Sequence, residues 1–467
     1  MVTDTTWVPD LDALPDRRPK YDRLAAAIRA GIAGGDLVPG QKLPPVRDLA
    51  WKVGVTPGTA ARAYRLLTDA GVLTAGVGRG TYVAETKSQP SPVLLAEHVF
   101  DASGDVNLFS PKMPDLGQGH LIATLAAQVV AQMPADRLMR YPSRVTDLAA
   151  RQACLAGLHA DVGPAEVEDI VATNGGQNAI VLILQTILRG PAPVILGDAI
   201  SYNGFRSAAE MCRAELLAVP WDDDGPDPQV FENLVRQHGA QVYCTASEVN
   251  NPTGQATSVA RRQQIAAIAR AHGVHVIDDD CYARINRVGP SYRALLPDLG
   301  WHVASPSKTI SPALRIGFAV APKAHAAALV RSAIGQSFGV SPLLTDLYAA
   351  LMRSPEIDGI VQAVRARIDR DVGVVVTTFA DCAPGYAPGI PFVWLVLPRT
   401  WRANDFVAAA KARGIHLKSS ESFLHRDSRM VHAVRIAVNG LLAPDRFDAA
   451  IADLRDLMDT PAARISV

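Results

Sequence analysis

The sequence predicts an α/β protein of two parts: a small, basic, largely helical module at the N-terminus and a large domain around a mostly parallel sheet. The chain has 467 residues, which exceeds one ordinary domain of about 150 residues. Residues 17–83 hold eleven basic and four acidic side chains, although the formal net charge of the whole chain is zero. Beyond this segment, short β-branched stretches alternate with alanine-rich helical stretches, which is the pattern of βαβ units.

Within the basic segment, apolar spacing, capping residues and glycines predict three helices followed by a β-hairpin. The third helix has a clear start, because Thr56 is a favourable N-cap and Pro57 suits the first helical position. The predicted helices cover residues 21–32, 46–53 and 57 to about 70, and the predicted strands cover residues 72–74 and 81–83. This is the order of a winged helix-turn-helix, and with its positive charge it predicts double-stranded DNA as a partner of residues 17–85.

The rest of the chain divides into a linker and a large α/β part. Residues 86–114 are rich in Ser, Pro, Asp and Gly, which predicts a linker and an entry arm. Residues 115–467 form the large part, with a large domain over about 150–325 and a small C-terminal part over about 326–467. Its predicted strands include residues 169–173, 193–196, 242–245, 274–277 and 317–320.

Composition narrows the class of protein. Hydrophobic residues make up 48% and charged residues 20%, which excludes wholesale disorder. No apolar run approaches the ~18–20 residues that cross a bilayer, so we expect no membrane span. The five cysteines are scattered without a CxxC pair, which disfavours zinc and a disulfide framework and favours the reducing cytoplasm. We therefore expect a cytoplasmic protein without a metal site.

Four loops of the large part follow predicted strands and carry polar or glycine residues. Each has an ordinary explanation when it is considered alone. The glycines at 175 and 176 suit a tight turn, and the sequence NPTG at 251–254 suits another. The three acids at 278–280 suit a magnesium site or an exposed loop, and Lys308 suits a solvated surface charge.

The order and spacing of these loops favour one shared site. Asn251 precedes Asp279 by 28 residues and Asp279 precedes Lys308 by 29, each about one βαβ step of ~30 residues. A phosphate cradle, a carboxylate, a lysine and a phenol together suit pyridoxal 5'-phosphate. Lys308 would form the Schiff base, Asp279 would keep the pyridine nitrogen protonated, and Asn251 and Tyr282 would hydrogen-bond the phenolate oxygen. The residues expected around the phosphate are Gly175, Gly176, Gln177, Ser305, Ser307 and Arg315.

The motifs of both parts of the chain resemble those of known protein families. From about residue 105 to 460, the motifs GGQNA, NNPTG, DDDCY and SPSKTISPALRIGF and the later VRI resemble the fold-type I, aspartate aminotransferase-like enzymes. The stretches LPPVRDLAWKVGVTPGTAARAYRLLTDAGVL and GRGTYVA resemble the GntR-type winged helix. Together they resemble bacterial transcriptional regulators of the MocR/GabR type, and this resemblance covers nearly the whole chain.

The resemblance implies further roles. Tyr202 would stack on the cofactor ring, and Arg435 would bind the α-carboxylate of an effector. Tyr141 would reach the phosphate of the neighbouring subunit in a homodimer. The ordinary alternatives are an aromatic side chain in a core and an arginine in a surface ion pair.

The same resemblance implies the DNA contacts. Arg47 would contact phosphate or base, Thr56, Thr59 and Arg62 would lie on the face of the recognition helix, and Arg79 would lie at the wing tip. Because a two-fold dimer presents two winged helices, we expect an operator with repeated half-sites.

These observations favour a transcriptional regulator that senses a small amine or amino acid through an external aldimine, in which the incoming amine displaces Lys308 from the cofactor. The alternative is an active class I/II aminotransferase that carries a DNA-binding module, because Lys308, Asp279 and Tyr282 would leave residual activity possible. A third reading, in which the N-terminal module is only a dimerisation arm, fits poorly with its excess of seven positive charges.

Overall fold

In the computed structural model the chain divides into two compact units, residues 1–97 and 98–467, which are described separately. The structure describes residues 7, 19–33, 35–38, 40–69, 72–76, 80–83, 104–282, 287–425, 428 and 430–460. Most of the predicted linker, residues 86–103, and the wing residue Arg79 lie outside this described part of the chain.

The N-terminal unit has the predicted order of elements. Its core is formed by apolar side chains from all three helices and from the hairpin, with Leu24, Leu49 and Leu67 almost completely buried. Tyr64 fixes the turn before the second helix, since its hydroxyl donates to the Pro44 carbonyl at 2.8 Å. The elements are α1 (Lys20–Ala33), α2 (Val46–Lys52), α3 (Pro57–Asp69), β1 (Leu73–Gly76) and β2 (Gly80–Val83), and β1 pairs antiparallel with β2.

The C-terminal unit is built around a sheet that, among the described residues, has seven strands. The strands are β4 (Ile170–Thr173), β5 (Val194–Asp198), β6 (Glu215–Val219), β9 (Val242–Thr245), β10 (His275–Asp279), β11 (Gly300–Ala304) and β12 (Gly317–Val320). Their order across the sheet is β4-β12-β11-β10-β9-β5-β6. The fold class is confirmed, because the sheet is mostly parallel and only β12 runs against its neighbours β11 and β4. The reversal at β12 follows from its short connection, since residues 305–316 contain no crossover helix.

Helices cover both faces of this sheet. They are α4 (Gln118–Gln132), α5 (Ala135–Leu138), α6 (Leu148–Gly157), α7 (Gly176–Ile187), α8 (Asn203–Met211), α9 (Pro228–His238), α10 (Val259–His272), α11 (Tyr292–Leu295), α12 (Ala326–Ser337) and α13 (Pro342–Arg353). A minor hairpin pairs β7 (Trp221–Asp222) with β8 (Gly225–Pro226). None of the helices in the described residues is long and apolar enough to cross a membrane.

A second core lies at the C-terminal end of this unit. It is formed by the helices α14 (Ile357–Thr378), α15 (Ala403–Ala412) and α16 (Pro444–Asp459) and the strands β3 (Val106–Asn107), β13 (Phe392–Val396), β14 (Ile415–His416), β15 (Lys418–Ser419) and β16 (Ala433–Ala437). The sequence places the start of this part near residue 326. In the structure α12 packs with the cores of the large sheet, whereas the second core takes its residues from β3 and from α14 onward.

A buried ion pair connects α10 to the loop after β9. Arg262 and Glu248 are 2.6 Å apart, with exposed side-chain fractions of 0% and 2%. The same guanidinium donates to the Thr257, Ser247, Gly289 and Pro290 carbonyls at 2.8–3.1 Å. One arginine thus fixes three segments that lead toward the carboxyl edge of the sheet.

Replacing this arginine should destabilise the C-terminal unit. We expect Arg262→Ala to lower its free energy of unfolding by about 3 kcal/mol or more, since a buried carboxylate loses a charged partner. Gln263→Ala, on the exposed side of the same helix, should change it by less than about 0.5 kcal/mol. Denaturant unfolding of the full chain measures both. Equal midpoints for the two variants would contradict the role given to Arg262.

Candidate functional site

The four loops singled out in the sequence lie at one edge of the sheet. Strands β4, β9, β10 and β11 all run in the same direction, so the loops that follow them start at the same, carboxyl edge. In open α/β sheets this edge is where ligands bind. The glycine turn, the NPTG loop, the acidic loop and the Lys308 loop therefore share one side of the domain.

The acidic run alternates between structural and site-facing positions, as expected for a strand with a period of two. Asp278 accepts hydrogen bonds from the Ser247 backbone N–H (3.0 Å), the Ser247 hydroxyl (2.9 Å) and the Tyr292 N–H (3.2 Å). Asp280 forms a buried ion pair with Arg287. Of these three acids, Asp279 is therefore the one whose side chain we expect to face the site.

Asp279 lies in the electrostatic field of Lys308. Burial raises the pKa of this carboxyl, while hydrogen bonds from the Cys281 thiol and backbone N–H, together with the Lys308 charge, act in the opposite direction. The Cys281 N–H lies 3.2 Å from Asp279 Oδ1. A carboxylate in such a place is stabilised by a nearby cation.

The glycine turn and Arg315 form a cradle in which a side chain at either glycine would have no room. Gly175 has φ +93, and a Cβ there would lie 2.6 Å from Arg315 Nη2. A Cβ on Gly176 would lie 2.5 Å from Cys281 Sγ. The helix α7 begins at Gly176, and the first backbone N–H groups of a helix have no partner inside that helix. The cradle thus combines a helix N-terminus with a guanidinium, which is a combination that favours an anion.

Two serine hydroxyls lie in the short 3-10 segment that carries Lys308. Ser305 Oγ donates to the Ile316 carbonyl (2.9 Å) and lies 2.9 Å from Ser307 Oγ. Arg315, which donates to the Asn174 carbonyl at 3.2 Å, connects this segment to the glycine turn. The structure therefore links the predicted phosphate residues of two separate loops.

Tyr202 lies at the same edge, at the start of α8. Burial raises the pKa of its phenol, the charges of Asp279 and Cys281 add to this shift, and those of Arg315 and Arg435 oppose it. Its ring is in edge contact with Phe205, at 5.9 Å between centroids.

Gly204 shapes this corner and was not predicted from the sequence. A Cβ on Gly204 would lie 2.1 Å from the Tyr202 ring and 2.2 Å from Gln177 Oε1. Gln177 in turn donates to the Gly204 carbonyl at 2.9 Å. The predicted residue Gln177 therefore positions the segment that carries Tyr202. The only signal in the sequence is a glycine two residues after an aromatic, which is too common to notice.

The two asparagines of the NNPTG motif have different roles. Asn250 is structural: its amide donates to the Ile200 carbonyl at 3.1 Å and to the buried carboxylate of Asp198 at 3.4 Å. Asn251 accepts a hydrogen bond from Arg435 Nη1 at 2.9 Å. The sequence missed Asp198, because a single acid at a strand end has no distinctive spacing.

Arg435 reaches the site from β16 of the second core. Besides Asn251, it donates to the Phe109 carbonyl at 2.7 Å, and its guanidinium lies 5.0 Å from the Phe423 ring. Tyr282 is linked to the same surroundings through edge contact with Phe392 at 5.5 Å, and burial raises the pKa of its phenol. Phe109, Phe392 and Phe423 were not predicted from the sequence, since nothing in it shows which phenylalanines line a pocket.

Tyr141 lies apart from these residues. Its side chain is 74% exposed, and its ring stacks on the exposed Phe338 at 4.7 Å. Met139 and Val145, close to it in sequence, are also exposed. Within the described residues, then, Tyr141 belongs to an exposed apolar patch and not to the pocket of its own chain.

Four of the predicted DNA-contacting residues lie in the described part of the N-terminal unit, and all four are at least partly exposed. Arg47 is exposed at the start of α2. Thr56 caps α3, since its hydroxyl accepts from the Thr59 N–H (3.2 Å) and lies 2.9 Å from Thr59 Oγ1. Arg62 is exposed too, but its guanidinium stacks on the Tyr21 ring at 4.0 Å, so its orientation is partly fixed by α1. Arg79 lies outside the described residues.

Comparison with known families and proteins agrees with this architecture. Residues 107–443 match the family described as aminotransferase class I and II, and residues 20–83 match the bacterial regulatory proteins of the gntR family. A kynurenine aminotransferase of Pyrococcus horikoshii superposes with a TM-score of 0.69 at 18% identity, covering 80% of this chain and 95% of its own. The α-aminoadipate aminotransferase LysN of Thermus thermophilus superposes with a TM-score of 0.65 at 20% identity, covering 84% and 96%. At these identities the structures show the fold alone.

Several of the similar proteins are transcriptional regulators by name. The chain is 25% identical to the HTH-type transcriptional regulator YdeF of Bacillus subtilis, over 97% of each chain. It is 28% identical to the pyridoxine biosynthesis regulator PdxR of Corynebacterium glutamicum, over 68% of this chain and 70% of that one. It is 30% identical to the vitamin B6 salvage pathway repressor PtsJ of Salmonella typhimurium, over 71% and 74%. The chain therefore belongs to the aminotransferase class I and II family and, within it, to the HTH-type transcriptional regulators with a gntR-family domain, which confirms the resemblance seen in the sequence.

Proposed function

We propose that this regulator holds pyridoxal 5'-phosphate at the carboxyl edge of its sheet and responds to a small amine that carries a carboxylate. The observation that carries the proposal is that Lys308 acts electrostatically on the carboxyl group of Asp279, at the edge of the sheet that also carries the cradle of Gly175 and Arg315. A lysine, a partly buried carboxylate and an anion cradle are the groups that this cofactor requires.

The residues present fit the cofactor. A phosphate fits the cradle, because a Cβ on Gly175 or Gly176 would occupy it and because a guanidinium, the Ser307 hydroxyl and a helix N-terminus supply hydrogen-bond donors, whereas the Ser305 hydroxyl already donates to the Ile316 carbonyl. A protonated pyridine nitrogen fits Asp279, because it supplies a cation that stabilises this partly buried carboxylate. When bound, the cofactor supplies an aldehyde carbon that exchanges one primary amine for another.

The protein side chains determine which amine is accepted. Lys308 would be the resident amine, and Tyr202 would stack on the cofactor ring. Asn251 and Tyr282 would hold the cofactor's phenolate oxygen by hydrogen bonds. Arg435 is held in a fixed position by Asn251 and by the Phe109 carbonyl, and its guanidinium would suit the carboxylate of an incoming amino compound.

Two copies of the chain are expected in the working protein. Met139, Tyr141, Val145 and Phe338 are exposed apolar side chains, and Tyr141 stacks on Phe338; exposed apolar side chains of this kind often mark a surface that binds another protein. A second copy on this patch would bring Tyr141 to the partner's phosphate and present two winged helices to repeated half-sites. We expect the dimer in the cytoplasm, because its DNA target lies there.

A second candidate function is full aminotransferase turnover. It is favoured by the presence of Lys308, Asp279 and Tyr282 in one site, since these are the groups an active enzyme would use. The two functions differ in a simple measurement: turnover converts amino donor and oxo acceptor continuously, whereas a sensor changes its absorbance and its DNA affinity without forming product.

Lys308 should be the attachment point of the cofactor. Borohydride reduction of the protein loaded with pyridoxal phosphate, followed by peptide mapping, should place a stable adduct on Lys308 Nζ, because this amine is next to the cradle. Lys308→Ala should remain folded and bind DNA but carry no adduct. An adduct on another lysine of the parent protein would refute the assignment.

The proposed phosphate cradle can be tested by substituting alanine at Gly175 and, as a control, at Gly190, which both have a positive φ. We expect Gly175→Ala to weaken binding of pyridoxal phosphate at least about tenfold, because its Cβ would displace Arg315. Gly190 has φ +84 but open space around it, so Gly190→Ala introduces the same backbone strain without filling the cradle. Absorbance titration with the cofactor measures both variants. Similar affinities for the two would argue against a phosphate at Gly175.

Two exposed arginines of the N-terminal unit, Arg47 and Arg29, should differ in how much they contribute to DNA binding. Arg47→Ala should weaken binding to a duplex that the parent selects from a random pool by about tenfold, with a salt slope smaller by about one if the contact is to phosphate. Arg29→Ala removes the same charge from α1 and should cost much less. Fluorescence anisotropy over a salt series measures both. Parent-like binding by the Arg47 variant would favour the dimerisation-arm reading.

A further inference from the structure

The loop that carries Tyr202 pairs with the chain segment that follows β15. Residues 199–201 and 423–425 lie antiparallel and are joined by two backbone hydrogen bonds and a β-bridge. The bonds run from the Ser201 N–H to the Phe423 carbonyl (3.0 Å) and from the His425 N–H to the Ala199 carbonyl (3.2 Å), and the bridge joins Ile200 and Leu424. The backbone before α8 is therefore attached to a part of the chain that is distant in sequence.

A side-chain hydrogen bond completes this pairing next to Tyr202. His425 Nε2 lies 3.1 Å from the Ser201 hydroxyl, and the two residues are buried, with exposed fractions of 6% and 2%. Burial and the charge of Arg206 lower the pKa of His425 to about 4, while a hydrogen bond with the Asp198 backbone acts in the opposite direction. The imidazole is therefore neutral near pH 7, and a neutral imidazole has a nitrogen that can accept a hydrogen bond from the Ser201 hydroxyl.

Tyr202 is thus held on both sides along the chain. Ser201, directly before it, is bonded to His425, and the carbonyl of Gly204, two residues after it, accepts from Gln177 Nε2 at 2.9 Å. Gln177 belongs to α7, the helix that begins at the cradle, whereas His425 comes from the C-terminal part of the chain. Because the backbone is fixed before and after the tyrosine, its ring has a defined position at the edge of the sheet.

The 423–425 segment also contacts Arg435, through Phe423. The backbone carbonyl of Phe423 accepts from Ser201, and its buried ring lies 5.0 Å from the Arg435 guanidinium. The same ring packs edge-on against Trp394, with 6.0 Å between the centroids, so its orientation is fixed. One residue therefore contacts the loop of Tyr202 with its backbone and Arg435 with its side chain.

We propose that His425 is a positioning residue for the cofactor, which holds the Tyr202 loop in place through its hydrogen bond with Ser201 and does not itself contact the cofactor. The 423–425 segment then connects the residue expected on the cofactor ring, Tyr202, with the residue expected at the carboxylate of the effector, Arg435. The inference rests on the proposed function, because it uses the roles given there to Tyr202 and Arg435, and it adds the pair of residues that keeps the ring-stacking loop in position.

Removal of a single hydroxyl tests the role of this hydrogen bond. The full chain is titrated with pyridoxal phosphate, with affinity followed by absorbance and ring orientation followed by circular dichroism of the bound cofactor. Ser201→Ala should weaken cofactor binding about fivefold and reduce the dichroic band, because the loss of one buried hydrogen bond lets the Tyr202 loop move. His425→Leu should have the same effect, whereas His425→Gln, which keeps a polar group near the position of Nε2, should retain most of the affinity.

Ser332→Ala is the matched control. The Ser332 hydroxyl on α12 lies 2.8 Å from Thr186 Oγ1, near the end of α7 that is farthest from the cradle. This variant also removes one hydrogen-bonded hydroxyl from the C-terminal unit, and it should leave the affinity for the cofactor and its dichroism as in the parent. Denaturant unfolding of each chain without cofactor measures the effect on stability separately.

The possible outcomes separate this inference from the proposed function. A Ser201→Ala chain with a lowered unfolding midpoint but parent-like cofactor affinity and dichroism would overturn the inference, since the bond would then serve stability alone. A double variant of Ser201→Ala and His425→Leu that loses the sum of the two single losses would also overturn it, because the two residues would then act independently. A parent chain that takes up no pyridoxal phosphate would overturn the proposed function itself.

Discussion

The hydrogen bond from Arg435 to Asn251 is the interaction on which the candidate site depends, because it connects the second core to the carboxyl edge of the large sheet at the site itself. Asn251 belongs to a loop at the carboxyl edge of the large sheet, and Arg435 belongs to the small sheet of β13, β15 and β16. Arg435 also binds the Phe109 carbonyl, so the segment at β3 meets both at one point. Any change in the position of the second core is therefore transmitted to the residues expected around the cofactor ring.

Most of the buried acidic side chains at the carboxyl edge of the large sheet have partners within the protein, which leaves few of them to meet a ligand. Asp278 accepts hydrogen bonds from Ser247, and Asp280 forms an ion pair with Arg287. Asp279 lies between them, so its side chain points to the opposite face of the strand. Arg262 similarly satisfies Glu248 beneath the loop after β9. A strand with three consecutive acids is stable only because its period of two sends alternate side chains to different partners.

Much of this could be predicted from the sequence because the signals are local. The N-cap at Thr56, the glycines before α7 and the spacing from Asn251 through Asp279 to Lys308 each depend on a few neighbouring residues or on the fixed length of a βαβ step. The rest depends on contacts between distant segments. Gly204 matters only because Tyr202 folds back over it, and Phe109 and Phe423 matter only because separate chain segments bring them to Arg435. The antiparallel return of β12 required a further fact, namely that residues 305–316 are too short for a crossover helix.

The two units differ in net charge in a way that assigns DNA to one of them. Residues 17–83 carry an excess of seven positive charges, whereas residues 98–467, with 34 basic and 36 acidic side chains, carry a net charge of −2. A strongly positive surface attracts the phosphate backbone of DNA, and a nearly neutral one does not. Because exposed charges are screened beyond about 10 Å, this attraction acts only where the basic module itself approaches the duplex, and the C-terminal unit neither adds to it nor competes with it.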